Sequence, residues 1–431
     1  MRIISKRKDV STFLDTLRVR ASGDAETVEQ AVKKILTDVQ KNGDHAVKKY
    51  TRRFDQNSSS RLRLSPATIH RVANKADATV VRALELSAKR IRKFHEMQKE
   101  RSWSLSEEDL LLGQIIHPLK RVGVYVPGGT AAYPSTVLMN VIPARVAGVK
   151  EIALCVPAPG GSINPSVMAA VRMLNIDEVY TIGGVQAIGA MAYGTQSIKK
   201  VDKIVGPGNV YVATAKKMVF GLVDIDMIAG PSEILIIADR SANAAFVAAD
   251  LLSQAEHDEL ASSILLTTSK ALANAVSKEI SGQLSQLKRK KIARASLQNY
   301  GAIIITKNVR AALDLSNQIA PEHLEIMLQD PFKVLPHIYH AGAIFLGPWT
   351  PEAVGDYAAG PNHTLPTGGT ARFFSPLGVH DFFKRSSLLG FTRKGFMKIS
   401  QIVETLADAE GLEAHAYTIR VRRPEKMKNR K

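Results

Sequence analysis

A short stretch near the middle of the chain, LLSQAEHDE at 251–259, carries a glutamine and a histidine that could bind one metal ion. Gln254 and His257 lie three residues apart, and residues at this spacing are neighbours on one face of a helix. Nitrogen and oxygen ligands suit Zn²⁺, but glutamine is an uncommon zinc ligand and water could equally cover this face. The stretch therefore suggests a metal site without establishing one.

An adjacent acid and imidazole occur in APEHLEI at 320–326, where Glu322 precedes His323. Such a pair suits general acid–base catalysis, because its two members can bind protons with different affinities. The same residues also fit the first turn of a helix, which favours a proline and an acid. On the residues alone, the helix start is the favoured interpretation and catalysis the alternative.

The most unusual stretch is 351–382, which is rich in glycine and proline and predicts a long ordered loop. It holds Asp356 and His363. Near the end of the chain, AEGLEAH adds Glu410 and His415, which a solvated helix end would also explain. A shell suited to Zn²⁺, and open to Mn²⁺ or Co²⁺, could combine four of these side chains: Gln254, His257, Asp356 and His415.

The other cysteine and histidine residues limit the kind of metal site. Cys155 is the only cysteine, which excludes an intrachain disulfide and a thiolate-rich zinc site. HIYH places His337 and His340 at a metal-compatible spacing, but no acidic residue lies near them. Ordinary surface or core histidines are the better interpretation of that pair.

Two glycine-rich turns could bring backbone amides close to a phosphate group: YVPGGTAAYPS at 125–135 and VGPGNVYVATAK at 205–216. Turns of this kind bind phosphates at the carboxyl ends of parallel strands. Neither has the G-x-G-x-x-G spacing, and no acidic residue follows at the distance expected for a dinucleotide site. The pattern supports a nucleotide only weakly, and tight structural turns explain it as well.

Alternating strand-like and helix-like segments indicate an α/β protein. Residues 26–110 have apolar residues at helical spacing and predict a helical layer. From about 120, short apolar runs alternate with helical patterns, which predicts parallel sheets covered by helices. Beyond 376 the chain is expected to be irregular and then helical. Eight candidate strands favour two sheet units: 122–126, 151–156, 178–182, 203–205, 233–238, 263–268, 302–306 and 343–346.

The formal net charge of +18 raises the expectation of a polyanion partner. Basic residues cluster at 288–294 and 420–431, which are typical of surface and tail segments. Because no helix-turn-helix, zinc-finger or aromatic RNA-binding pattern accompanies them, specific nucleic-acid binding is not expected. The apolar runs are too short for a membrane helix and the N-terminus lacks a secretion-signal pattern, so a cytoplasmic location is expected.

Seven motifs, in order along the chain, resemble the histidinol dehydrogenase family over about residues 20–420. They are YVPGGTAAYPSTVLMN, GGVQAIGAMAYGT, VDKIVGPGNVYVATAKK, DMIAGPSEILIIAD, DLLSQAEHDE, APEHLEI and GPNHTLPTGGTARFFSPLGVHDF. Seven long motifs in this order make a chance match not credible. The basic excess and the RRPEKMKNRK tail are not part of the family pattern.

The resemblance implies a role for each candidate residue. It implies one Zn²⁺ per subunit, bound by Gln254, His257, Asp356 and His415. It implies acid–base catalysis by Glu322 and His323, and NAD contacts at Tyr125, Gln186 and Asn209. The substrate-binding residues that it implies are Ser232, Gln254, His257, His323, Asp356, His363, Glu410 and His415.

The reaction that the resemblance implies is oxidation of L-histidinol to L-histidine by two NAD and water, the last step of histidine biosynthesis. His323 would accept a proton in both oxidations, and Glu322 would activate water onto the bound aldehyde. Three alternatives stay open: a zinc- and NAD-dependent dehydrogenase of another alcohol, a polyanion-binding protein and a zinc hydrolase.

The domain organisation is also implied by the resemblance: two incomplete Rossmann-like, aldehyde-dehydrogenase-like domains with parallel sheets. Small N- and C-terminal segments would be exchanged in a homodimer, so that Glu410 and His415 complete the other subunit's site. The expected limits are 1–20 for the N-terminal dimerisation segment, 21–124 with 234–377 for the catalytic domain, 125–233 for the NAD-binding domain and 378–431 for the C-terminal domain.

Overall fold

The computed structural model describes residues 1–20, 25–59, 61–128 and 133–423. The centre of the first glycine-rich turn, 129–132, and most of the basic tail, 424–431, lie outside the described residues. None of the helices within the described ranges has the length and apolarity that a bilayer crossing requires.

The strands are β1 Arg2–Ile4, β2 Trp103–Glu107, β3 Leu110–Pro118, β4 Arg121–Tyr125, β5 Glu151–Cys155, β6 Glu178–Tyr180, β7 Lys203–Val205, β8 Asp224–Ile225, β9 Glu233–Ala238, β10 Ser262–Thr267, β11 Gly301–Ile305, β12 His323–Met327, β13 Ala343–Leu346 and β14 Phe383–Phe391. The helices are α1 Arg7–Val19, α2 Ala25–Asp55, α3 Pro66–Ala73, α4 Ala78–Glu96, α5 Pro134–Ala147, α6 Pro165–Met173, α7 Gly184–Tyr193, α8 Val210–Val219, α9 Ala244–Ala255, α10 Lys270–Leu284, α11 Lys290–Tyr300, α12 Val309–Ile319, α13 Glu352–Tyr357, α14 Arg393–Ala409 and α15 Glu413–Arg420.

The chain divides into two compact units. The larger unit comprises 1–99 and 119–382, and the smaller comprises 100–118 and 383–431. The larger unit contains two sheets in which every pairing is parallel. The predicted α/β class with parallel sheets is therefore confirmed.

The five-stranded sheet of the larger unit has the order β6-β5-β4-β7-β8. All five residues of β4 are buried, as expected for a parallel strand covered by helices on both faces. The glycine-rich turns follow the carboxyl ends of β4 and β7. Asn209 begins α8 after the second turn, and its side chain accepts a hydrogen bond from Val212 N at 3.2 Å.

The six-stranded sheet has the order β1-β11-β10-β9-β12-β13. Its central strand β9, EILIIA, is buried at all six positions. Ile234 and Ile236 belong to one apolar cluster, whereas Leu235 and Ile237 belong to another. Because successive side chains of a strand point to opposite faces, these clusters form a core on each side of the sheet.

The smaller unit is an antiparallel sheet of order β14-β3-β2 together with α14 and α15. Within it, Arg420 of α15 donates to Glu404 of α14 at 2.6 Å. Glu410 follows the last turn of α14, and His415 lies in α15.

The eight strands predicted from the sequence are confirmed to within two residues at each end. Other expectations were wrong. APEHLEI begins strand β12 rather than a helix, the expected loop at 351–382 contains α13, and the chain beyond 376 contains the nine-residue strand β14. The predicted domain limits and the exchange of segments in a dimer stay predictions.

Candidate active site

The catalytic candidates lie at the amino ends of two neighbouring strands, β9 and β12. Parallel pairing sets His323 opposite Ile234, so the residues just before β9 lie beside the Glu322–His323 pair. Ligands of open parallel sheets usually bind at the carboxyl ends of strands. The glycine-rich turns of the five-stranded sheet lie at such carboxyl ends, but this pair lies at the amino ends of the strands in its own sheet.

The backbone of Glu233 holds both members of the pair. Its N–H donates to Glu322 Oε2 at 2.9 Å, and its carbonyl oxygen lies 3.0 Å from His323 Nδ1. A carbonyl only accepts hydrogen bonds, so Nδ1 must carry a proton. In neutral His323 the lone pair therefore resides on Nε2, the nitrogen that can act as a base.

Three carboxyl groups surround His323. Glu322 and Glu352 each lie 3.7 Å from Nδ1, and Asp356 lies 3.8 Å from Nε2. Burial lowers the pKa of His323, but the charges of these carboxyl groups outweigh burial and raise it well above its usual value. Nε2 is buried without a hydrogen-bond partner among the described residues, so it is available to a ligand.

Glu322 is a buried carboxyl group with raised proton affinity. Burial raises its pKa to about 7, although the neighbouring charge of His323 and the hydrogen bond from Glu233 N oppose the change. A carboxyl group with a pKa near neutrality can gain and lose a proton during turnover. The acid–base role that the resemblance assigns to Glu322 is chemically consistent with this environment.

A cluster of possible metal ligands lies beside His323. Ligand atoms of His257, Glu352 and Asp356 all lie within 4.8 Å of one another. His257, just past the end of α9, is exposed, whereas Glu352 is buried. Two of the sequence candidates, His257 and Asp356, are thus brought together, and Glu352 joins them without having been predicted.

Glu352 could have been found from its spacing. It stands four residues before Asp356 in α13, and residues four apart share a helix face. The signal was weak because PEAVGD looked like loop sequence. In the fold, Glu352 N donates to Glu325 Oε1 at 2.8 Å, which ties the first turn of α13 to strand β12.

Neighbouring groups determine the orientation of the buried Gln254 amide. The carboxyl group of Glu352 and the carbonyl oxygen of Glu233 face the same atom of this amide, which places the nitrogen there. That nitrogen then donates to Glu352 Oε1 and to Glu233 O, each at 3.1 Å. The opposite atom is then the amide oxygen, which is the atom with which a glutamine can bind a metal ion.

His363 and Asp356 line a cavity that extends from His323. The cavity has a volume of about 470 Å³ and is also lined by Phe94 and His380. His363 Nδ1 lies 3.0 Å from the Asp356 carbonyl oxygen and must donate to it. Burial lowers the pKa of His363, despite the opposing charge of Asp356. A neutral His363 can therefore offer Nε2 to the cavity as an acceptor.

The nucleotide candidates lie in the five-stranded sheet. Tyr125 ends β4, and its hydroxyl accepts a hydrogen bond from Gly184 N at 3.1 Å. Gln186 is 0% exposed, yet neither atom of its amide has a partner among the described residues. Buried polar atoms are normally hydrogen-bonded, so this amide has hydrogen-bonding capacity that the described residues leave unused.

A buried ion pair between Lys216 and Asp226 fixes the turn before Asn209. Lys216 Nζ donates to Gly206 O at 3.0 Å, and Asp226 Oδ2 accepts from Gly206 N at 2.8 Å. Gly206 has φ of 115°, and a Cβ there would lie 2.0 Å from Tyr125 O. Only glycine can therefore occupy this position without moving the backbone.

The remaining sequence candidates are placed as follows. Ser232 lies between Pro231 and β9, half-buried, and its carbonyl accepts from Ser262 N at 3.0 Å. Glu410 and His415 belong to the smaller unit, so their part in the site stays a prediction. His337 Nδ1 lies 3.1 Å from Arg310 Nη1, which agrees with its interpretation as an ordinary surface histidine.

Replacing Glu352 with alanine is expected to weaken metal binding by roughly 10–100-fold, because the residue orients the Gln254 amide. The measurement is competition for the metal against a chromogenic chelator. Glu259→Ala, at an exposed position beyond α9, is the matched control and should bind as the wild type does. Wild-type affinity in Glu352→Ala would show that Gln254 is oriented by other contacts.

Comparison with known proteins gives consistent results. A family model described as histidinol dehydrogenase matches residues 18–423. The histidinol dehydrogenase of Geobacter sulfurreducens is 54% identical over 399 residues, which cover 92% of this chain and 93% of that protein. The histidinol dehydrogenase of Aquifex aeolicus is 53% identical over 428 residues, which cover 98% of this chain and 100% of that protein.

The fold is similar to a solved structure as well. The crystal structure of histidinol dehydrogenase from Elizabethkingia anophelis matches with a TM-score of 0.90 and 39% sequence identity, over 95% of each chain. The similarity thus extends over nearly the full length in both sequence and fold.

Proposed function

Because the chain belongs to the histidinol dehydrogenase family, the oxidoreductases of the final step of histidine biosynthesis, we propose that it oxidises L-histidinol to L-histidine in two steps with zinc and NAD. The observation that carries this proposal is the buried Glu322–His323 pair beside a cluster of metal-ligating side chains. A base for the alcohol proton, a second acid–base group for water and side chains that could hold a metal ion suit an alcohol oxidation followed by an aldehyde oxidation.

The residues present fit a metal ion of the zinc type. The amide oxygen of Gln254, the imidazole of His257 and the carboxylate of Asp356 offer nitrogen and oxygen ligands without a thiolate, and His415 is the proposed fourth ligand. A zinc ion bound there would supply a Lewis acid that holds and orients the substrate's nitrogen atoms. Zn²⁺ is the proposed ion, one per subunit.

The residues also fit a nucleotide at the five-stranded sheet. The unpartnered amide of Gln186 and the close approach of backbone at Gly206 support binding there, with Tyr125 and Asn209 as further contacts. A bound NAD would supply the acceptor for the hydride that leaves the substrate carbon.

In the first oxidation, His323 Nε2 accepts the alcohol proton as a hydride leaves the carbinol carbon, which gives the aldehyde. The hydrogen bond from Nδ1–H to Glu233 O keeps the lone pair on Nε2. Substrate contacts proposed at Ser232 and His363 hold the carbon in place, because correct orientation lowers the barrier to hydride transfer.

In the second oxidation, Glu322 takes a proton from water as the water adds to the bound aldehyde. With that proton on Glu322, the product of addition is the anion of the aldehyde hydrate. A second NAD bound there would accept the hydride that leaves its carbon, and His323, which has released the proton of the first step, takes the remaining hydroxyl proton, which gives the carboxylate. Burial of Glu322 keeps bulk water from competing with the one reacting molecule. The aldehyde stays in the site between the steps.

We further propose a homodimer in which Glu410 and His415 of one chain complete the other chain's site. Mixing inactive His323→Asn chains with inactive His415→Asn chains tests this. Random exchange makes half of the dimers mixed, each with one intact site, so activity is expected to return to about a quarter of the wild-type value. Reassociation without recovery would show that each site uses residues of one chain only.

The proposed function is tested by counting NADH formed per molecule of L-histidinol consumed. Two NADH, with activity lost on metal removal and regained with zinc, is the expected result. One NADH would indicate a dehydrogenase of another alcohol that stops at the aldehyde or ketone. No NADH would contradict the substrate, and turnover independent of NAD would favour a zinc hydrolase.

A further inference from the structure

Arg20 forms a buried ion pair with Glu233, next to the catalytic pair. Arg20 Nη2 lies 2.5 Å from Glu233 Oε1, and the two side chains are 2% and 9% exposed. The same nitrogen donates to the Pro231 carbonyl oxygen at 3.2 Å. One guanidinium nitrogen therefore joins both ends of residues 231–233, here called the 231–233 segment.

The 231–233 segment contacts the catalytic residues through its backbone. Glu233 N–H donates to Glu322 Oε2, and Glu233 O accepts from His323 Nδ1 and from the Gln254 amide. A small displacement of this segment would move the carboxyl group of Glu322 and the imidazole of His323 together. Neither Arg20 nor the Glu233 side chain contacts the cavity beside His323.

A contribution to folding stability is a weak explanation for the presence of this ion pair. A buried ion pair is often no more stabilising than apolar side chains of similar size, because both charges lose their hydration. A guanidinium, however, has donors in a fixed planar arrangement and can hold two acceptors at a set separation. Arg20 uses one nitrogen of that arrangement, Nη2, to hold the Pro231 carbonyl oxygen and Glu233 Oε1 beside each other.

We propose that Arg20 is a positioning residue for the oxidation: its guanidinium fixes the 231–233 segment so that the Glu233 peptide groups hold Glu322 and His323 in their reactive orientation. The kinetic consequence rests on the proposed histidinol oxidation. The structural consequence, a change in the environment of the His323 imidazole when Arg20 is replaced, does not depend on that function.

The test compares three substitutions at Arg20 with one matched control. Arg20→Met keeps most of the aliphatic stem and removes every donor, Arg20→Gln keeps a neutral donor, and Arg20→Lys keeps the charge. Arg18→Met is the control, since Arg18 lies in the last turn of α1, two residues before Arg20, in an exposed ion pair with Asp15. If Arg20→Met does not fold, Arg20→Gln is judged by the same criteria.

The first readout is kinetic. In Arg20→Met we expect kcat for L-histidinol and for L-histidinaldehyde to fall together by roughly 10–100-fold, since misplacement by about 1 Å has effects of this size. KM for NAD and the affinity for zinc should stay unchanged, and Arg20→Lys should recover part of kcat. Wild-type kcat, or a loss that only follows the fraction of unfolded protein, would overturn the proposal.

The second readout needs no turnover. The imidazole ¹⁵N signals of His323, identified by their absence in His323→Asn, should shift in Arg20→Met and coincide in the wild type and Arg18→Met. Unchanged signals would overturn the positioning role even if histidinol is the substrate. Shifted signals in a protein that does not oxidise histidinol would retain the role of Arg20 and contradict the proposed function instead.

Discussion

Replacing His323 with asparagine is expected to lower kcat of both oxidations by roughly 10²–10⁴-fold, the usual contribution of a positioned general base. Asparagine has a nitrogen near the position of Nδ1, so it can still donate to the Glu233 carbonyl oxygen. It has no atom at the position of Nε2, the proposed proton acceptor. The substitution therefore separates the base from the hydrogen bond that orients it.

The measurement is single-turnover NADH formation from L-histidinol and, separately, from L-histidinaldehyde. His337→Asn is the matched control, because His337 is exposed and bonded to Arg310, and it should react as the wild type does. Zinc affinity and melting temperature should be recorded for both variants. If His323→Asn oxidises either substrate at close to the wild-type rate, another group must accept the proton in that step.

Apolar runs predicted the sheets well because parallel strands buried on both faces must be apolar along their whole length. EILIIA at β9 is one such run. HLEIM at β12 was not predicted as a strand, since Glu325 interrupts the apolar pattern and Pro321 with Glu322 fits a helix start. Glu325 is buried and accepts from Glu352 N, a long-range contact that no local pattern reveals.

The individual site residues were predicted mostly through family motifs and not through physical reasoning. The spacing of Gln254 and His257 suggested a metal site, but Glu352 lies about 100 residues further along and meets them only through tertiary structure. Arg20 lies even further from Glu233 in sequence. Ion pairs between distant segments cannot be read from one sequence, because their partners have no fixed spacing.

The position of the proposed catalytic pair, Glu322 and His323, illustrates a limit of a general rule. The expectation that ligands meet the carboxyl ends of strands directs attention to the glycine-rich turns after β4 and β7. Glu322 and His323 instead stand at the amino end of β12, beside the 231–233 segment that enters β9. The rule describes where helix N-termini and loop amides gather, and acid–base catalysis by side chains does not require either.

Replacing Glu322 with glutamine is expected to separate the two oxidations. The glutamine oxygen can still accept from Glu233 N, so the first hydride transfer should continue. Without a base for water, aldehyde oxidation should slow by roughly 10²–10⁴-fold. NADH formed per histidinol should then approach one, and the aldehyde should become trappable with semicarbazide.

The pH dependence of the second oxidation gives an independent test of the same residue. Burial raises the pKa of Glu322 to about 7, and only the ionised carboxylate can take a proton from water. Deprotonation of His323, whose pKa is raised well above its usual value, adds its own dependence on pH. In the wild type, the ionisation of Glu322 should itself produce a rise of aldehyde oxidation with pH through about 7. Glu322→Gln should lack this rise, whereas Glu85→Gln, at an exposed position of α4, should keep it. A rise that persists in Glu322→Gln would assign the base to another group, and the raised pKa of Glu322 would then reflect burial without a catalytic role.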